Sequence, residues 1–381
     1  MGVLKMKSMR HWIWIHKWSS LVSTIFLLML SLTGLPLIFD HQINEWLDGE
    51  IKPSAVPEDH PRMSLDRIMQ IAISEYPDKQ GMFVSQERDD DRVWFVTLAP
   101  APLSEDGIVQ VAVDARTGEI LAQPDLYGGV MNFIETLHTD MFLGFPGMFF
   151  LGVMGIMLIL ALISGIFIYA PHARRAGFTN VRKSKSRYLS WLDVHNALGI
   201  VTFMWFLVIG ATGVINAWED ILIKQWQTNN LAVLLEPYKN SQKPADNGSI
   251  QAALTAAEKT EPERKVQFIA FPGTNFSSPH HYGVYMRGNT AATERMSKPI
   301  LIDTQTTEVT ASSDMPWYLK ALQLSRPLHF GDFGGLTMQL LWTVLNLMTL
   351  IVLVSGLYLW CKKWNLKDTQ PKIDSKTILN N

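Results

Sequence analysis

The sequence predicts an α-helical integral membrane protein: four transmembrane helices, two small α+β domains outside the cytoplasm, and an internal tandem repeat. Three observations predict it. The apolar residues of the 381-residue chain gather into four long runs, basic residues gather between the second and third runs, and residue patterns of the first half return in the second.

Crossing hydrocarbon takes roughly 20 mostly apolar residues. Four runs qualify, about Trp18 to Phe39, Gly147 to Ala170, Ala197 to Trp218 and Leu336 to Trp360, and none carries Lys, Arg, Asp or Glu in its middle. The formal net charge of −2 averages two compartments and says little; local charge says more. Arg174, Arg175, Arg182, Lys183, Lys185 and Arg187 crowd the short second connection, with no acid before Asp193. Short basic connections mark the cytoplasmic side. Lys5, Lys7, Arg10 and Lys17 precede the first run and Lys362, Lys363 and Lys367 follow the last, so both termini are expected there too. The two long connections then face outward, into the periplasm of a bacterial inner membrane.

The basic start followed by an apolar run could be a cleavable leader, but the run is too long for one and ends in no small-x-small site. An uncleaved anchor is expected. Cys361 is the single cysteine, so no intrachain disulfide can form and the outer domains must rely on their cores. The expected organisation is 1–40 cytoplasmic N-terminus and first span, 41–145 first outer domain, 146–171 second span, and 172–193 basic loop. The second half follows as 194–219 third span, 220–335 second outer domain, 336–361 fourth span and 362–381 cytoplasmic tail.

The repeat is read from matched positions. His16, Thr33 and Gly34 match His195, Thr212 and Gly213 at one offset; His138, Ser164 and Gly165 match His329, Ser355 and Gly356 at a second. Asp114, Thr117, Glu119 and Ile120 fall on Asp303, Thr306, Glu308 and Val309. The unit is span, outer domain, span, used twice in parallel. Each outer segment opens with an amphipathic stretch, Leu65 to Tyr76 and Ile250 to Lys259. In the first copy, alternating runs at Met82 to Gln86, Val93 to Leu98 and Val109 to Val113 follow, which predicts one helix on a small antiparallel sheet. Val113 to Ile120 predicts a tight hairpin with Gly118 at positive φ. Thr307 stands there in the second copy, which predicts a looser turn.

Four histidines stand at matching span ends: His16 and His195 toward the cytoplasm, His138 and His329 toward the outside. Two neutral imidazoles facing each other between apolar helices suit bis-histidine haem, whose iron takes axial nitrogens from opposite sides. Two b-type haems are therefore expected, one per pair. Gly34, Gly165, Gly213 and Gly356, each after Thr or Ser, would let a porphyrin edge or a neighbouring helix approach closely. For a single histidine at a membrane edge, water or lipid contact is the commoner role, and His11, His41, His60, His172, His280 and His281, which have no repeat partner, stay with it. Zinc would want a tetrahedral cluster of Cys, His and carboxylate. Only Asp140 and Asp332 could add to the outer pair; they either orient an imidazole or are solvated carboxylates. Arg326 either pairs with a haem propionate or anchors at the interface. Tryptophans near both interfaces are the usual belt.

The chain resembles a known family at this point. The two outer segments, with a hydrophobic strand, Asp-x-x-Thr-Gly-Glu and a further strand, resemble PepSY domains, Thr307 standing in the second copy where the first has Gly118. Ile15-His16-Lys17-Trp18, Leu137 to Gly144, Val194 to Gly199 and Pro327 to Gly335 resemble the PepSY-associated transmembrane family, with Ser20 where that family often has Gly. That family includes iron-regulated inner-membrane proteins and ferric-siderophore reductases. The resemblance implies electrons passed outward to a ferric siderophore or similar Fe(III) chelate for iron uptake. No Gly-x-Gly-x-x-Gly opens a helix after a strand, so the donor is expected to be a quinol or a separate cytoplasmic reductase. The lipid bilayer is a partner; nucleic acid is not. A PepSY-based regulatory or binding module is the alternative, and a transporter is disfavoured because these spans show neither breaks nor polar groups at mid-membrane. Tyr282, Tyr285, Phe276 and Trp317 are notable outer aromatics, without a pocket assigned to them.

Overall fold

A computed structural model describes residues 2–57, 59–87, 90–176, 186–290 and 293–368. In chain order the helices and strands of the first half are α1 (Gly2–Leu37), α2 (Asp40–Asp48), α3 (Leu65–Glu75), β1 (Gln80–Ser85), β2 (Val93–Ala99), β3 (Val109–Asp114), β4 (Ile120–Ala122), α4 (Gly129–Thr139) and α5 (Phe145–Ala176). The second half runs α6 (Arg187–Ala217), α7 (Glu219–Trp226), α8 (Ala232–Leu235), α9 (Ile250–Thr260), β5 (Arg264–Ala270), β6 (His281–Gly288), β7 (Ser297–Asp303), β8 (Val309–Ser312), α10 (Trp317–Phe330) and α11 (Gly335–Asp368). A π-helical turn, Gln227–Leu231, joins α7 to α8. Two units result, one of residues 1–39, 134–217 and 328–381, the other of 40–133 and 218–327.

The first unit holds four helices long and apolar enough to cross a membrane, within α1, α5, α6 and α11. They form a closed ring: α1 packs on α5, α5 on α6, α6 on α11 and α11 on α1. Each runs past a predicted span end on its basic flank, α5 reaching Ala176 and α11 Asp368, because a basic flank can continue a helix once the apolar stretch has nucleated it, whereas α1 and α6 stop at Leu37 and Ala217, just short of the predicted Phe39 and Trp218. Of the basic loop, Arg182, Lys183 and Lys185 lie outside the described residues. Leu27, Leu158, Phe206 and Leu353, one from each helix, meet in a buried cluster. The helices are unbroken through the core, as expected, but polar groups do enter it. Asn346 is buried in α11 and donates to the Ser31 carbonyl of α1 at 2.9 Å; Thr349, one turn on, is fully buried.

The second unit corrects one expectation. Its strands form a single eight-stranded antiparallel sheet, β4-β3-β2-β1-β5-β6-β7-β8, rather than two separate small domains. The join is β1 on β5, pairing Phe83 with Ala270, Val84 with Ile269 and Ser85 with Phe268. Two four-stranded sheets each present an edge, and pairing those edges satisfies backbone groups that would otherwise lie open. The alternating runs do form β1 to β3, and the amphipathic stretches form α3 and α9.

These two helices cover one sheet face. Their N-termini are capped by Ser64 and Ser249, whose hydroxyls accept the Arg67 and Ala252 amides. They also brace one another: Asp66 accepts the Ile250 amide at 2.9 Å and Gln251 accepts the Leu65 amide at 2.8 Å. Leu65, Ile68, Val84, Val96, Ile269 and Ile300 are essentially inaccessible beneath them, each burial stabilising the fold by about 1.5–3 kcal/mol.

The hairpin at Val113–Ile120 forms, with Gly118 at φ +71°. The second copy is not looser. Thr307 adopts φ +58°, and Asp303 accepts the Gln305 and Thr306 amides at 2.8 Å, as Asp114 accepts those of Arg116 and Thr117. The aspartate ties the loop firmly enough to hold a threonine in the left-handed region, at an energetic cost of about 1–2 kcal/mol.

Candidate functional site

All four matched histidines lie in the helical unit, and each is held by a helix other than its own. His16 on α1 is held by α5: its Nδ1 donates to the Ala161 carbonyl at 2.8 Å, with the Ser164 hydroxyl 3.5 Å away. His195 on α6 is held by α11, its Nδ1 lying 3.0 Å from both the Val352 carbonyl and the Ser355 hydroxyl. His138 is held by α1, with Nδ1 2.8 Å from the Thr33 hydroxyl, and the Leu30 carbonyl also bonds to it. His329 is held by α6, with Nδ1 3.1 Å from the Thr212 hydroxyl, and the Ile209 carbonyl bonds to it too. One pattern recurs four times, a Thr or Ser hydroxyl at Nδ1 and the carbonyl three residues earlier bonded to the same ring.

That pattern fixes the tautomer. A carbonyl only accepts, so Nδ1 must carry the hydrogen. Each hydroxyl already donates to its own helix, Thr33 to Met29 at 2.8 Å, Thr212 to Val208 at 2.7 Å, Ser164 to Leu160 at 2.6 Å and Ser355 to Val352 at 2.9 Å. Its remaining lone pairs face Nδ1–H. Nε2 is left on all four rings as an unprotonated nitrogen, the form that binds metal. Burial pushes His138 down to about 3, with His329 beside it contributing, and His329 down to about 4, so both rings are neutral across the physiological range.

The glycines permit a close approach, and the group that approaches each is an imidazole from another helix. A methyl group on Gly34 would lie 3.4 Å from His138 Cε1, on Gly165 3.2 Å from His16 Cε1, on Gly213 3.2 Å from His329 Cε1, and on Gly356 3.3 Å from His195 Cε1. They make room for the imidazoles. Gly199, also on a span, meets nothing within 4 Å.

His138 and His329 are not at the ends of the spans themselves. They sit in the last turns of α4 and α10, separated from α5 and α11 by tight turns in which Met141 and Phe142 adopt φ near +60° and Gly331 adopts +73°. Their ring centres are 6.3 Å apart with planes at 68°. Two imidazoles on opposite sides of one metal, each with a metal–nitrogen bond of about 2 Å, hold their ring centres roughly 6 Å apart. The separation of the His138 and His329 ring centres matches that figure. At the other end, His16 of α1 is held by α5 and His195 of α6 by α11. Among the described residues no three His, Cys, Asp or Glu converge, so a tetrahedral zinc set is not assembled. Asp140 does not reach an imidazole; it accepts the Phe142 amide at 2.7 Å and so shapes the turn. Arg326 pairs with Glu219. Asp332 stands in the turn before α11.

The structure collects other residues that the sequence left scattered. Phe268 of β5 and Tyr285 of β6 stack at 4.3 Å, on the sheet face opposite α3 and α9. With Trp226, Phe276 and the α10 residues Leu322 and Gln323 they line a cavity of about 390 Å³. Tyr285 and Phe276 thus share a pocket, whereas Tyr282 packs against Phe271 in the α3/α9 core and Trp317 is exposed.

The description PepSY-associated TM region matches residues 13–363. The chain belongs to this family. Within this PepSY-associated family's span all four histidines, their Thr/Ser-Gly partners and the whole sheet are included. An uncharacterized protein of Pseudomonas aeruginosa, PA4219, is 24% identical over 259 residues, which cover 61% of this chain and 64% of that protein's length. The match thus spans a little under two thirds of that relative.

Proposed function

We propose that this PepSY-associated membrane protein is a di-haem electron carrier of a bacterial inner membrane that reduces a ferric siderophore or other chelated Fe(III) in the periplasm for iron uptake. The observation that carries the reading is the fourfold histidine arrangement. Each of His16, His195, His138 and His329 presents an unprotonated Nε2 because Nδ1–H is bound by a carbonyl and a hydroxyl, and the ring-centre separation of His138 and His329 supports a metal shared between them. Bound haem would supply one-electron transfer.

The protein's own residues do the rest. The Thr33, Ser164, Thr212 and Ser355 hydroxyls orient the rings and raise their basicity. Gly34, Gly165, Gly213 and Gly356 let each ring lie against a neighbouring backbone. The apolar helices exclude water. From His16 to Gly34, which touches His138, α1 rises about 27 Å, so the two pairs serve opposite ends of one membrane-crossing bundle. The basic flanks of the spans support a cytoplasmic position for His16 and His195, where a quinol or a separate reductase would deliver electrons. Reduction releases iron because hard oxygen donors hold Fe(III) far better than Fe(II).

The test uses full-length His16→Ala and His329→Ala proteins. Each should lose one haem and both should lose reduction of an external ferric chelate. Only the His329 variant should still let a cytoplasmic-side donor reduce its remaining haem. Full haem content and unchanged rates in both variants would leave a regulatory or binding module as the better reading.

A further inference from the structure

We infer, resting on the di-haem reading and extending it, that Asn346 is a positioning residue of the outer histidine pair whose amide gives that pair a higher potential than the inner one. Four otherwise matched seats differ at one. Beyond its own helix, a methyl group on Gly165, Gly213 or Gly356 would meet only the imidazole seated there within 4 Å. One on Gly34 would meet His138 Cε1 at 3.4 Å and also Asn346 Nδ2 at 3.9 Å. Only this seat holds an amide beside its imidazole.

The amide is fixed in place. Its Nδ2 donates to the Ser31 carbonyl of α1 at 2.9 Å, and since a carbonyl only accepts, the nitrogen rather than the oxygen faces α1. An amide nitrogen carries two hydrogens. The Ser31 carbonyl takes one, and among the described residues no acceptor takes the other. Asn346 is 6% exposed, so this N–H dipole lies in apolar surroundings, where a partial charge acts strongly on its neighbours.

Only one half of the repeat carries the amide. The offset that takes His138 to His329 takes Gly155 to Asn346, and the offset that takes His16 to His195 takes Ser31 to Gly210. At the related place in the ring, α5 sets Gly155 against the Gly210 carbonyl of α6. A methyl there would lie 3.5 Å from that oxygen and 2.7 Å from Val214 Cγ2. No side chain fits between α5 and α6 at that point, while α11 reaches α1 through an asparagine. The positive end of an N–H dipole stabilises an added electron, and hydrogen-bond donors around a haem are among the groups that set its potential. With the amide at an outer seat and none at the inner seats, Gly165 and Gly356, the outer site holds its electron more firmly, which favours outward flow.

The test is a spectroelectrochemical titration of full-length protein. His138→Ala, which should keep only the inner haem, assigns the two midpoint potentials. Asn346→Leu removes the amide at nearly constant bulk. It should shift the electron equilibrium between the two sites toward the inner one by about threefold to tenfold, the worth of one hydrogen-bonding group, tenfold being about 59 mV for one electron. Gln339→Leu is the control. Gln339 Nε2 likewise ties α11 to α1, donating to the Ile38 carbonyl at 2.8 Å, but stands about two turns from Asn346. It should lower the melting temperature as Asn346→Leu does and leave both potentials unchanged. Should Asn346→Leu fail to fold, Asn346→Ala, which adds no bulk, is read in the same way. Potentials unmoved by substitution of Asn346, or moved equally by Gln339→Leu, would overturn the assignment and leave the amide as helix packing alone. Wild-type protein without haem would defeat the electron-carrier reading itself, whereas two haems with an unmoved outer potential would defeat only the role given to Asn346.

Discussion

The Thr212 hydroxyl lies 3.1 Å from His329 Nδ1, and Thr33 stands in the same relation to His138 at 2.8 Å. In both cases the threonine and the glycine after it serve a single imidazole, the one as hydrogen-bond acceptor and the other as the gap the ring fills. Thr-Gly is therefore a histidine-holding device placed one helix away from the histidine it holds.

Enlarging the gap residue should expel the ring. In Gly213→Val, side-chain atoms would reach His329 Cε1, already only 3.2 Å from the position of a first methyl. One haem should be lost while the site at His16 and His195 remains. Gly199→Ala, where nothing lies within 4 Å, should leave haem content and melting temperature unchanged or slightly raised. The ratio of haem to protein in the two variants decides it.

Removing only the hydroxyl should act more gently. Thr212→Val keeps the volume, and the Ile209 carbonyl still accepts from Nδ1, so the haem should stay. The net loss is about 0.5–1.5 kcal/mol of hydrogen bonding. A less basic imidazole stabilises Fe(III) less, so the midpoint potential of the outer haem alone should rise in a spectroelectrochemical titration. Unchanged potentials would mean that the hydroxyl does not tune the ligand.

The second hairpin stores strain that glycine would release. Thr307 sits at φ +58°, so Thr307→Gly should stabilise the sheet-bearing unit by about 1 kcal/mol. Gly118→Thr should destabilise it by more, because a β-carbon there would fall 2.7 Å from Ile71 Cδ1. Thermal melts of the two variants should move in opposite directions.

Orientation is tested by reporters. A fusion near Lys185 should report the cytoplasm and one near Asn247 the periplasm. The same compartment for both would refute the proposed placement of the termini and of the two long connections.

Much of this was legible in the sequence, for physical reasons. Twenty-residue apolar runs have few alternatives to spanning helices, and the second of the two constant offsets already linked His138 with His329, whose rings the structure brings together. The hairpin at Gly118 followed from turn chemistry. What stayed hidden depended on distant contacts. Nothing in Gln80–Ser85 or Arg264–Ala270 says that those two edges pair, since alternation fixes which face is buried but not which strand lies alongside. The turn that separates His138 from α5 rests on positive φ at Met141 and Phe142, residues that rarely adopt it. Trp226, Phe268, Tyr285 and Gln323 come from four different elements, so their cavity had no local signature. Asn346 passed unnoticed because one amide scarcely alters the hydropathy of a run, yet it is buried against Ser31.

The central claim is that the four histidines hold two haems, and the haem-to-protein ratio of the full-length chain, read by pyridine haemochrome alongside the reduced-minus-oxidised spectrum, tests it most directly. Two low-spin, six-coordinate b-type haems per chain, falling to one in His138→Ala and to one in His195→Ala, is the predicted result. A chain without haem, or one whose haem content is indifferent to all four histidines, would contradict it.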